Sequence, residues 1–181
     1  MSEQELGKKM VEEMTLHLFL EAHRHATGET LTSLGRSERP DFVCQRSDGT
    51  FVGLELTKLM RVPESASWDR IMNGQEFRDA ADANDDIWAM AEYKSRKLKT
   101  GNWRYADNTI LVLQVMDCPL SDLYHYLEDG SSPDDYADLG FSEVWVADYS
   151  EVAAYRVIEL FGLYPARWWG YQKRWRDKPY G

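Results

Sequence analysis

The sequence predicts a single α/β domain in which helices flank a mixed β-sheet. Three observations carry this. "NTILVLQVM", residues 108–116, is an unbroken apolar run of the kind found in a central strand covered on both faces. "RPDFVCQ" and "TFVGLELTKL" alternate and are rich in strand formers, and "SDG" between them is a turn signal, so they predict a hairpin. Helical periodicity precedes the hairpin and separates it from the apolar run. The chain has 181 residues, 43% of them hydrophobic, which suits one sizeable core.

In chain order, residues 5–26 predict the first helix. Val11, Met14 and Leu18 follow helical spacing and the Gly28 region ends the run. The hairpin follows. Residues 61–74, "RVPESASWDRIMNG", read as irregular. A long helix is expected from about residue 75 to residue 99, stopped by Gly101. The apolar run is the next strand. "PLSDLYHYLED" predicts a short helix with Pro119 in its first turn. "EVWVADYS" and "AYRVIELF" are two further strand candidates, and the aromatic, basic tail has no clear periodicity.

Composition excludes several classes. No apolar run approaches the ~20 residues that span a bilayer. The charged start "MSEQELGKKMVEEM" lacks the apolar segment of a secretory signal, so a cytoplasmic protein without membrane partners is expected. Cys44 and Cys118 are far apart and read as reduced core thiols. The formal net charge of −10 counts against a large non-specific nucleic-acid surface without excluding a local one. His23 and His25 are a poor helical metal pair and read as surface residues. His17 and His125 are isolated, and neither a G-x-S-x-G nor a phosphate loop occurs. Nothing points to an organic cofactor.

Two carboxylates are out of place. Glu55 lies between Leu54 and Leu56 on a strand whose faces are both expected to be covered, and a buried carboxylate is costly unless paired or bound to a metal. Asp41 follows Pro40 at the start of the partner strand. A hairpin closed by "SDG" can bring the two together on one divalent cation, which prefers oxygen ligands. The long helix adds an anomaly: Ile87, Ala91, Lys94 and Leu98 form one stripe, so Lys94 interrupts the inward face, with Lys97 nearby. Glu21 interrupts the expected stripe of the first helix in the same way.

"PDF", a short turn and "GLELTK" resemble the motif of the PD-(D/E)XK, or restriction-endonuclease-like, nuclease superfamily. The element order is similar to that family's αβββαβ core over residues 5–116, leaving 117–181 as C-terminal additions to the same domain. The resemblance implies a metal-dependent nuclease that hydrolyses phosphodiester bonds in DNA or RNA with Mg²⁺ or Mn²⁺. It implies Asp41 and Glu55 as ligands, the Leu56 carbonyl as a third donor, and Glu21 as the acid of the first helix. The pattern departs at the lysine: Thr57 stands two residues after Glu55, and Lys58 comes one position late and points to the other face by strand parity. Either the site is degenerate, or a lysine arrives from the following helix, as in some superfamily members; Lys94 is the candidate. The alternative function is a non-catalytic interaction or nucleic-acid-binding module on the same fold. A third alternative is an unrelated α/β protein.

The tail interleaves Trp168, Trp169, Tyr171, Trp175 and Tyr180 with basic residues. Such residues suit single-strand binding or a homodimer contact. The favoured reading docks the tryptophans on the body while the arginines meet acidic surface.

Overall fold

A computed structural model of the chain describes residues 1–59 and 77–177. Helix α1 (Glu3–Thr27) opens on a capping box between Ser2 and Glu5 and closes at Gly28, whose φ of 78° suits the left-handed C-cap. Strands β1 (Leu31–Arg36), β2 (Phe42–Arg46) and β3 (Phe51–Leu59) follow. Helix α2 (Ala80–Thr100) is capped by the Asp79 carboxylate, which accepts from the backbone of Ala81 and Asp82. Then come β4 (Thr109–Val115), α3 (Leu120–Gly130), the short α4 (Pro133–Ala137) and β5 (Glu143–Asp148). One-turn α5 (Val152–Tyr155), β6 (Val157–Tyr164) and β7 (Gln172–Arg176) follow.

The seven strands of the described residues form one sheet in sequence order. β3, β4 and β5 are mutually parallel, and every other neighbouring pair is antiparallel. The parallel centre needs crossovers, and helices supply them. β4 and β5 are buried at every residue, as an apolar run covered on both faces should be. One core lies between the sheet and α2–α3, with Ile87, Ala91, Leu98, Leu113, Leu123 and Phe161. The other lies under α1, with Phe19, Phe42, Leu54, Val112, Trp145 and Ile158. The α/β class with a mixed, helix-flanked sheet is therefore as expected.

Four expectations need correction. β1 went unread, because an edge strand exposed at five of its six residues carries no apolar pattern. The tail contains β7, whose Lys173 and Trp175 are half-buried between exposed neighbours; Trp168 and Trp175 pack on the α1 core and Trp169 on the other. Arg174 pairs with Glu151 at 2.6 Å, in keeping with the docked reading of the tail. The buried residues of α1 are Leu16, Leu18, Phe19, Ala22, His23 and Ala26, so of the expected stripe Leu18 is inward while Val11 and Met14 are exposed. Pro119 sits at the N-cap of α3 rather than inside its first turn. The irregular stretch 61–74 and the expected start of the long helix at residue 75 lie outside the described residues.

The site is positioned by a close approach in the hairpin. Pro40 packs against Gly53 of β3, where an added Cβ would sit 2.5 Å from Pro40 Cγ and 2.8 Å from Thr109 Oγ1. Only a residue without a side chain lets Pro40, and so Asp41, lie this close to β3. Replacing Gly53 by alanine should cost roughly 1–3 kcal/mol, the usual range for overpacking. Urea unfolding would register a lower midpoint at unchanged m-value; an unshifted midpoint would refute the packing account.

Candidate active site

Asp41 stands one residue ahead of β2, at the point where that strand's pairing with β3 ends at Phe42–Leu54. Beyond that pair the carboxylates take over the hydrogen bonding between the two segments. The Asp41 backbone N–H donates to Glu55 Oε2 at 3.2 Å, and the Leu56 N–H donates to Asp41 Oδ2 at 2.9 Å. The two acids are thereby fixed next to each other. From α2, Lys94 donates to Glu55 Oε1 and forms an ion pair with it. Ile87, Ala91 and Leu98 on the same helix face are buried, so the stripe that predicted an inward Lys94 is present. Lys94 does not escape to solvent; it ends on Glu55.

Burial dominates the electrostatics. Glu55 is 5% exposed. The Asp41 carboxyl is pushed up to about 6 from an ordinary 3.8, first by burial and then by the charge of Glu55, with Glu12 of α1 adding to the effect. The Leu56 N–H and the Lys94 ammonium pull the other way without offsetting it. Burial and the two acidic neighbours thus outweigh the Lys94 ammonium at Asp41. A raised carboxyl beside a second, buried carboxylate is an arrangement that recurs at functional sites. Asp41 and Glu55 thus put two carboxylates side by side, the oxygen chemistry that hard divalent cations prefer.

The remaining candidates separate. Thr57 is buried, and its hydroxyl has no hydrogen-bond partner among the described residues. Lys58 sits in register with Gln114 on β4 and lines, with Asp41 and Leu56, a cavity on the α1 side of the sheet. Strand parity thus turns Lys58 away from Glu55, as expected. Lys97 stacks its ammonium over the Tyr93 ring at 4.6 Å. Glu21 does not join the group. It pairs with Arg24 at 2.6 Å on its own helix, and the acid of α1 felt by Asp41 is Glu12, nine residues earlier and about 13 Å along the axis.

A second polar cluster went unread because His23 was expected at the surface. It is fully buried, and its Nε2 lies 2.9 Å from Glu143 Oε2, which also accepts from Trp145 Nε1 at 2.8 Å. Ligand atoms of His23, Glu29 and Glu143 lie within 4.8 Å of one another. Arg46 already supplies the cation there, pairing with Glu29 and reaching Glu143 at 3.3 Å. Burial pushes the Glu143 carboxyl up, but His23, Trp145 and Arg46 outweigh it and hold the group below the usual range. This satisfied network clasps α1, β2 and β5 together. A period-3.6 stripe through Phe19, Ala22, His23 and Ala26 was the available signal.

Comparison of the chain with models of protein families, with curated proteins and with solved structures gave no match.

Asp41 makes a signed prediction for pH. An acid whose folded value is raised costs nothing below its unfolded value, and the cost grows as pH rises from about 3.8 to about 6. Asp41→Asn should therefore stabilise the protein by on the order of 1–2 kcal/mol above pH 6.5, after allowance for solvent screening, and by much less near pH 4. Denaturant midpoints across that range would test this. A pH-independent difference would place the cause elsewhere.

Proposed function

We propose that the protein is a divalent-cation-dependent nuclease of the PD-(D/E)XK type, hydrolysing phosphodiester bonds in DNA or RNA. The observation that carries the reading is the meeting of Asp41, Glu55 and Lys94 where β2 parts from β3. The order α1, β1–β2–β3, α2, β4 supports it, since it has the αβββαβ sequence that the motif resemblance implies. So does the origin of the lysine. The position two residues after Glu55 is threonine, and α2 delivers an ammonium to the same carboxylate instead.

The donor set fits Mg²⁺ or Mn²⁺. Asp41 lacks an ion-pair partner among the described residues, and its carboxyl is raised in a way that a nearby dication would relieve. Asp41, Glu55 and the Leu56 carbonyl would hold the ion. When bound, such an ion lowers the pKa of a water and offsets charge on the phosphate. The protein's own contribution is positional. The Leu56 N–H fixes one Asp41 oxygen and the Asp41 N–H fixes one Glu55 oxygen, so both carboxylates keep their orientation without help from solvent. Lys94 holds the second Glu55 oxygen and would orient a nucleophilic water or stabilise the developing negative charge.

The rival reading, a non-catalytic module, draws on the direct Glu55–Lys94 pair, which also serves simply to neutralise a buried acid. A cleavage assay with Mg²⁺ or Mn²⁺ on plasmid, single-stranded DNA and RNA separates the two. Asp41→Ala and Glu55→Ala should each reduce the rate by at least ~10³-fold, and Lys94→Ala by ~10²–10³-fold, the range for removing one stabilising group. Equal rates in wild type and both acid variants would assign any cleavage to a contaminant and favour the rival.

A further inference from the structure

The first half of α1 is an apolar face with nothing packed on it. The buried residues of the helix begin at Leu16, and residues 3–11 are exposed throughout. Their support is the Ser2–Glu5 capping box, a Lys8–Glu12 pair at 3.9 Å, and the Arg36 guanidinium of β1, which reaches the Lys9 carbonyl, Glu12 and Glu13. Helices in proteins are held mostly by packing of an apolar face, and these turns leave theirs in water. Of the eleven large apolar side chains exposed among the described residues, five lie in residues 1–14: Met1, Leu6, Met10, Val11 and Met14. Leu6, Met10 and Met14 succeed one another at i+4, with Gly7 and Val11 in the adjacent row, so they form one continuous face about 12 Å long.

The face complements itself. Take an antiparallel copy of α1 related by a two-fold axis passing between Met10 and Val11. Gly7 then lies opposite Met14 of the partner subunit, and Lys9 lies opposite the partner's Glu12 and the partner's Glu13. Glycine inside a helix is destabilising, and nothing in the chain comes within 4 Å of a Cβ added at Gly7, so no internal contact requires it. In the pair it leaves a notch that a methionine fills. Lys9 has no ion-pair partner among the described residues, and Glu13 has a long contact of 3.8 Å with Arg36, which holds Glu12 at 2.6 Å. A parallel pair in register would set Lys8 and Lys9 against the same two lysines. An anionic lipid surface fits less well, because residues 1–14 carry four acids and two lysines. Beyond Met14 the face continues into a cavity of about 610 Å³, with Leu18 and Val152 on its apolar wall and His17 and the Arg156–Asp177 pair on its polar one. The same two-fold lays the partner's first helical turn alongside Leu18.

We propose that the chain forms a two-fold homodimer through α1, with the helices antiparallel, Met14 of each subunit seated over the partner's Gly7 and Lys9 of each facing the partner's Glu13. The inference is independent of the nuclease reading. A seam of a few side chains falls short of the ~800 Å² per partner of a standard interface, so the dimer should exchange with monomer, with a Kd on the order of 1–50 µM.

The test is sedimentation equilibrium of the full chain from about 1 to about 200 µM. Wild type should pass from 21.0 kDa towards twice that mass as concentration rises. Met10→Lys/Met14→Lys should stay monomeric throughout. Gly7→Leu should weaken the dimer at least about tenfold even though it adds an apolar side chain to the face. Lys9→Glu should weaken it about fivefold, and the charge exchange Lys9→Glu/Glu13→Lys should return it to within about twofold of wild type. Every substituted residue is exposed, and thermal unfolding at low concentration confirms that each variant is folded. A folded wild type of 21.0 kDa at every concentration would overturn the proposal. So would a dimer indifferent to Met10→Lys/Met14→Lys, one tightened by Gly7→Leu, or a charge exchange that fails to rescue.

Discussion

The structure turns on a reciprocal exchange between two acids and two backbone amides. At the end of the β2–β3 ladder, the Asp41 N–H is taken by the Glu55 side chain and the Leu56 N–H by the Asp41 side chain. Backbone donors need partners wherever water is excluded. Here the partners are the same carboxylates that form the candidate site. Pro40, which has no N–H of its own, can approach only because Gly53 leaves room. Fold and site are therefore one construction at this point, and losing either acid leaves an amide donor without its acceptor.

That construction holds unfavourable electrostatics in place. Two carboxylates share a poorly hydrated corner, Glu12 adds a third negative charge nearby, and Lys94 neutralises one of them. Seven strands and two cores supply the rigidity that keeps such an arrangement from relaxing. The contrast with the other buried cluster is informative. Around His23 and Glu143, Arg46 and Trp145 bring each carboxylate oxygen a donor, and the Glu143 carboxyl is held low. The satisfied network acts as a clasp, whereas beside Glu55 the Asp41 carboxyl is held high.

What the sequence disclosed follows from which patterns it repeats. The β4 run, the "SDG" hairpin and the α2 stripe are strong signals: the run marked a strand buried on both faces, and the stripe placed Lys94 on the inward face of α2. Lys94 was legible because one polar residue broke an otherwise apolar stripe. Edge strands have no such pattern, so β1 and β7 were not visible until their partners were. α1 misled because its outer face carries Leu6, Met10, Val11 and Met14, all exposed, and these imitate a core stripe. Glu21 was taken from that stripe, while His23 was placed at the surface because it makes a poor metal pair with His25. Cavities cannot be read from spacing at all: the one beneath Asp41 gathers residues from α1, β1, β2, β3 and β4.

The central claim is that Asp41 and Glu55 together grip a divalent cation. The most direct measurement is calorimetric titration of Mn²⁺ into wild type, Asp41→Asn and Glu55→Gln at neutral pH. The account predicts one site per chain in wild type, with affinity lost in either variant even though Asp41→Asn is the more stable protein. Absence of Mn²⁺ binding to folded wild type, or an affinity indifferent to both substitutions, would contradict it and leave the Glu55–Lys94 pair as a structural ion pair alone.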